Sequence, residues 1–258
     1  MTRLLARRTT GLTTRLTADQ LTVAWQSASL LLGYPDEILL SRLELVRRGS
    51  GDLPDAIGEP LRATVAHLES ASLGALQAEY VETFDTRRRC NLFLTYFAHG
   101  DTRKRGVALL RFKQTYLRSG FLFDADPEHG GELPDHLCVV LEFAATVDQR
   151  LGVRLLLDHR AGLELLRLSL TDVGSGWAGA VTAVTATLPP LQGDERDAIR
   201  RLAAEGPPEE EVGLTPYATP GFDPGPSQPS LPPVPHPSSG PELLPIPTFP
   251  RAASTEAH

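Results

Sequence analysis

Three sets of residues in this 258-residue chain could carry chemistry. The first is Gly100-Asp101-Thr102-Arg103-Lys104-Arg105-Gly106, where cations beside flexible backbone suit a phosphate. With Arg88 added, Asp101, Arg103 and Arg105 form a candidate phosphate or cofactor contact. The segment lacks the preceding strand and the Lys-Ser/Thr ending of a phosphate loop, so a solvated helix start is the competing reading. The second set is His129, Glu132 and His136. Gly130, Gly131 and Pro134 break the i, i+4 face a metal site would need. A helix start explains them as well, with Glu132 and Asp135 near the positive end of the dipole and Pro134 in the first turn. We expect no metal.

The third set is aromatic. Tyr80 and Phe84 lie one helical turn apart, and Phe93, Tyr96 and Phe97 follow closely. Singly they read as core. As a group beside Glu82, Asp85, Glu132 and Asp135, they could line a groove that receives an amphipathic helical peptide. Motifs of catalysis are absent: there is no GxGxxG, HExxH or GxSxG and no phosphate loop. No catalytic residue, turnover or cofactor is expected.

The elements that must position these residues read as helices. Thr17 is placed as an N-cap, with apolar positions at Leu21, Ala24, Trp25, Ala28, Leu31 and Leu32. A second helix starts at Asp36 and ends in the cations Arg47 and Arg48, followed by a loop at 49–52. Further helices are predicted at 55–70, 73–84, 103–119, 134–151, 154–172, 177–188 and 194–204, each with apolar spacing of three to four. Strand signals are nearly absent, so the fold class is all-α, a single-domain helical bundle.

Composition bounds the rest. Of the 22 prolines, 15 lie beyond position 205, where few apolar side chains could offset the entropy of ordering the backbone. We expect a flexible basic N-terminus at 1–16, a helical domain at 17–205 and a disordered Pro-rich acidic tail at 206–258. A scaffold whose tail recruits partners is one further reading. The tail carries six acids against one arginine, leaving the body nearly neutral against a total of −7; that argues against nucleic acid as partner. No apolar run approaches a membrane span and none follows Arg7-Arg8, so a soluble cytoplasmic protein is expected. Cys90 and Cys138 form no CxxC pair and read as inert thiols.

Taken in order, Tyr80-Val81-Glu82-Thr83-Phe84-Asp85, Arg87-Arg88-Arg89, Leu92-Phe93-Leu94-Thr95-Tyr96, Gly100-Asp101-Thr102-Arg103 and Glu132-Leu133-Pro134-Asp135-His136 closely resemble the respiratory nitrate reductase delta subunit family. These are molybdenum-cofactor assembly chaperones. The similarity covers about 20–190. The resemblance implies an all-helical chaperone that binds the N-terminal segment of the apo catalytic (alpha) subunit, keeps it competent for cofactor insertion and is absent from the finished enzyme. It also implies that Glu132, Pro134, Asp135 and His136 form part of the peptide-binding region, beside Tyr80, Phe84, Asp85, Phe93 and Tyr96. His136 is expected to tune binding between about pH 5.5 and 8, the ordinary range of histidine. Any membrane association is expected to run through the client. The resemblance leaves Cys138, the tail and the oligomeric state without a reading.

Overall fold

The computed structural model describes residues 16–123 and 131–206. All but residue 16 of the expected flexible N-terminus, all but residue 206 of the expected disordered tail, and His129 lie outside them. Thr17 closes a capping box: its hydroxyl accepts from the Gln20 amide at 3.2 Å, and the Gln20 side chain accepts from the Thr17 amide at 3.0 Å. From it runs α1 (Ala18–Leu31), burying Ala24, Trp25, Ala28 and Leu31. Asp36 caps α2 (Glu37–Gly51) through the Leu39 amide at 2.6 Å. After them come α3 (Asp55–Glu69), α4 (Leu73–Tyr80), α5 (Leu94–His99) and α6 (Arg103–Arg118), then α7 (Leu137–Thr146) and α8 (Gln149–Asp158), and finally α9 (Arg160–Asp172), α10 (Ala178–Ala186) and α11 (Gly193–Glu205). Among the described residues there is no strand, only one antiparallel bridge between Phe93 and His136. The all-α reading holds.

Several boundaries differ from the sequence expectation. The loop placed at 49–52 is instead the last turn of α2, because Ser50 is fully buried and its carbonyl accepts from Arg62 of α3 at 2.8 Å. A Cβ added at Gly58 would stand 2.4 Å from that carbonyl, so only glycine lets the two helices meet there. The single helix expected at 134–151 is two. Asp148, in extended backbone, accepts from the Leu151 amide at 2.8 Å and starts α8 afresh. The turn then folds α8 onto α7 so closely that a Cβ on Gly152 would lie 2.2 Å from Ala144 Cβ. His159 separates α8 from α9 within the span expected at 154–172.

The helix expected at 73–84 changes pitch after Tyr80 to a π-turn over Val81–Asp85. In this register Tyr80 and Phe84 both pack edge-on against Trp177, with ring centroids 5.6 and 5.7 Å away. Trp177 and Trp25 are both fully buried and form the two largest pieces of the core. On α9, Glu164 is buried between Arg160 at 2.7 Å and Arg167 at 2.8 Å. No helix among the described residues is long and apolar enough to cross a membrane.

Candidate functional site

Asp135 is the centre around which the chemistry-bearing residues gather. It precedes α7 and is fully buried, which is costly for a carboxylate unless donors surround it. The Thr95 amide and hydroxyl, at the start of α5, supply donors to its Oδ2 at 3.1 and 2.5 Å. Backbone bonds bracket the contact: the Leu94 amide donates to the Asp135 carbonyl at 3.0 Å, and the Leu137 amide to the Leu92 carbonyl at 2.9 Å. The Phe93–His136 bridge therefore fixes the starts of α5 and α7 against each other. Tyr116 of α6 adds a third element, its hydroxyl donating to the Pro134 carbonyl at 2.5 Å.

Arg105 of α6 completes the junction. Its Nε donates to the Thr95 hydroxyl at 3.2 Å, Nη1 reaches Asp101 at 3.2 Å, and Nη2 lies 3.8 Å from Asp135 Oδ2. The last is an ion pair without a hydrogen bond, and Nη2 and Asp135 Oδ1 are both left unpartnered. The guanidinium also stands 5.1 Å over the Phe93 ring, whose edge meets His136 at 5.1 Å. The residues weighed as a phosphate contact, Asp101, Arg103, Arg105 and Arg88, thus differ in placement, with Arg88 exposed. The 17% exposed Arg105 side chain is committed inward to Asp101 and Asp135, while Lys104 and Arg103 face solvent from the start of α6. Of the three residues weighed and set aside as metal ligands, Glu132 and His136 stand 3.8 Å apart; His129 lies outside the described residues.

The aromatic residues expected to line a groove are largely enclosed. Tyr80, Phe84 and Tyr96 are buried, and only Phe93 of the four is half-buried. The Tyr80 hydroxyl donates to the Leu32 carbonyl at the end of α1, at 2.9 Å, so it holds α1 against the π-turn instead of facing an open channel. Sequence could not separate these roles, because an aromatic pair one turn apart suits core and groove equally. Asp85 and Glu132 do stay exposed beside this cluster, and burial together with Asp85 raises the Glu132 carboxyl above its ordinary range. Burial raises both thiols, the Cys138 thiol further by Glu132 and Glu142 on either side of it.

Burial also moves His136. Its imidazole is pushed down from 6.5 to about 4, and its Nδ1 has no partner. Glu132, 3.8 Å from Nε2, would favour the cation, but it is half in solvent and the desolvation of the ring dominates. A ring held that low would be neutral in the folded chain across the pH 5.5–8 window in which tuning of binding is expected. Stability is the quantity that responds. The unfolded chain binds more protons between 6.5 and 4, so stability falls as pH drops through that window, by on the order of 3 kcal/mol. The raised Glu132 carboxyl acts with the opposite sign. Denaturant unfolding from pH 7 to 4 should show a shallower loss in His136→Gln than in the native chain; parallel curves would refute it.

What the sequence did not single out is an open groove of about 520 Å³ between α1, α2 and α7. Val23 and Leu30 line one wall, Leu45 and Val46 the other, with Arg42 and Glu142 at its polar edge. One signal could have found it. While α2 buries Leu39, Leu43 and Val46, it leaves Ile38 and Leu45 about 60% exposed, which makes the helix apolar on two faces. The groove is tied to the Asp135 junction through α7: the Ser29 hydroxyl on α1 donates to the Cys138 carbonyl at 2.8 Å. A second cavity of about 410 Å³ lies between α5, α9 and α11, floored by Leu94, Phe97 and Leu202.

Comparison with known proteins places these features in a family context. Residues 50–183 match the sequence model described as the nitrate reductase delta subunit. A nitrate reductase-like protein, NarX, from Mycobacterium tuberculosis is 43% identical over 166 residues, which cover 64% of this chain and 24% of that protein. The nitrate reductase molybdenum cofactor assembly chaperone NarJ of Escherichia coli is 31% identical over 153 residues, covering 58% of this chain and 63% of its own. A probable chaperone of the same kind from Bacillus subtilis is 36% identical over 137 residues, covering 49% and 66%. The chain thus spans about a quarter of the length of NarX.

Proposed function

The chain belongs to the nitrate reductase delta subunit family, and from that premise we propose that it is an assembly chaperone without turnover of its own. Its client is the apo catalytic subunit of nitrate reductase, which it holds competent for molybdenum cofactor insertion, acting in the cytoplasm. The observation that most supports a binding role is the groove between α1 and α2. It is open, its walls are Val23, Leu30, Leu45 and Val46, and it has the helix-in-groove form that takes an amphipathic segment.

The recognised element is the client's N-terminal segment, bound as a helix with one apolar stripe and a basic end. Leucines of that stripe meet Leu30 and Leu45, and its cations face the acidic series Glu142, Glu132 and Asp85 along the α7 side. On this reading the motif residues Pro134, Asp135 and His136 position α7, and with it the groove, from beneath. Tyr80, Phe84 and Tyr96 do the same for α1 and α5, and Phe93 links the two sets.

Calorimetric titration with a synthetic peptide of the client's first residues tests the proposal. Saturable binding should weaken about tenfold or more in Leu45→Asp, the loss expected from no longer burying one leucine. Because Leu45 is 61% exposed, the variant should keep its thermal midpoint. Glu142→Lys should weaken binding less, and its deficit should shrink at high salt. Unchanged affinity in both variants would sink the groove assignment.

A further inference from the structure

The outer face of α6 has a composition that neither the groove nor the Asp135 junction uses. The helix buries Ala108, Phe112 and Tyr116, yet Val107, Leu110 and Leu117 remain 57–62% exposed. At 100° per residue these three share an arc of about 80° on the solvent side. Beyond the helix Leu122 is 76% exposed, whereas Phe121, 40% exposed, turns its ring back toward Tyr116 and Phe143, with centroids 6.2 and 6.4 Å away. Lys104, Arg111 and Arg118 flank it on one side and Lys113 on the other, all exposed.

The charge of this helix is segregated. Its 16 residues hold six cations and no carboxylate, in a chain whose net charge is −7. Asp101, just ahead of the helix, is turned to Arg105 and not to the stripe. An apolar stripe edged by cations on a convex helix flank is the pattern of a helix that lies in a lipid–water interface, with leucines among the acyl chains and cations among the headgroups. A second copy packed two-fold on this face would set the same cations against each other. A peptide partner would call for concavity, and the two cavities described lie on other helices.

We propose that the outer face of α6, with Val107, Leu110 and Leu117, is a peripheral docking surface for a bilayer containing anionic phospholipid. The helix stays packed on the bundle through Phe112 and Tyr116 and enters the interface only by its exposed stripe. No property of the client enters this proposal, so it stands or falls separately from the groove.

The test is cosedimentation of the full chain with vesicles of phosphatidylcholine alone or mixed with phosphatidylglycerol. The full chain matters because Asp124, Asp126 and Glu128 follow the stripe in sequence, outside the described residues. Binding to the mixed vesicles alone is expected, lost as salt rises from about 0.1 to 1 M and the screening length falls from roughly 10 to 3 Å. Lys113→Gln with Arg118→Gln should lower partition about 25-fold, about fivefold for each cation removed from the surface. Leu110→Ser with Leu117→Ser should lower it about tenfold or more. These sites are exposed, so circular dichroism and the thermal midpoint should not change.

No cosedimentation with either vesicle would overturn the proposal. So would native partition in both variants. A dimer in light scattering that the leucine pair dissociates would give the stripe to a second copy. Salt-sensitive capture of the client subunit lost in the same variants, with no vesicle binding, would give it to an acidic protein surface.

Discussion

Asp135→Ala is expected to destabilise the chain by about 3–5 kcal/mol, the range for removing one member of a buried charge pair. Two groups lose their acceptor at once, the Thr95 amide and the Thr95 hydroxyl, and the largely buried Arg105 loses a countercharge. The lower part of that range is the better expectation, because Asp135 Oδ1 is already unpartnered and Asp101 still faces Arg105. Asp135→Asn should fall between, since its amide oxygen can accept from Thr95 but carries no charge toward the guanidinium. Urea unfolding of these variants, in a cycle with Arg105→Ala, measures the coupling. A loss under about 1 kcal/mol, the worth of an ordinary hydrogen bond, would mean the junction does not hold α5 to α7.

Tyr80→Ala should cost about as much, roughly 3–5 kcal/mol by analogy with other buried aromatic truncations. The ring fills space against Phe84 at 4.6 Å and Trp177 at 5.6 Å, and its hydroxyl satisfies the Leu32 carbonyl. Tyr80→Phe keeps the ring and loses only that bond, at about 1 kcal/mol. The pair separates two readings of the same residue. If Tyr80 is core, the alanine variant unfolds early and the phenylalanine variant binds client peptide normally. A folded, stable Tyr80→Ala that no longer binds peptide would show instead that the aromatic cluster opens to the client. Phe84→Ala should follow Tyr80→Ala, because both rings rest on Trp177.

The two expectations share a cause in the way the bundle is tied together. The motif 132–136 is not a patch of exposed recognition groups. Pro134, Asp135 and His136 are buried, and Glu132 and Leu133 alone look outward. Their polar atoms hold the beginnings of α5 and α7 and the flank of α6. From there α7 carries the arrangement to α1 through Ser29, and so to the groove. Buried polar networks of this kind fix one arrangement because every alternative leaves donors unpaired.

How much of this was legible varies by residue. Thr17 and Asp36 could be read as caps because a cap needs only its own side chain and an amide three residues on. Asp148 has the same geometry but is not legible as a cap, since the apolar spacing runs unbroken across it and periodicity hides a turn between two helices. Within the central stretch Asp135, His136 and Arg105 come together around Thr95 and Phe93. Which of them would face a partner is not legible, because exposure is not a property of a residue type.

The sequence by itself determined the helices, their apolar faces and the capped starts, as these depend on contacts within about one turn, and it carried the motif series of the family. Only the tertiary structure decided that Thr95 meets Asp135 across 40 positions, that Tyr80 faces Trp177 and not solvent, and which of the two apolar faces of α2 stays open. Such choices follow from which helix covers which face. That is settled by the packing of whole surfaces against one another, where a side chain's burial depends on neighbours distant in the chain.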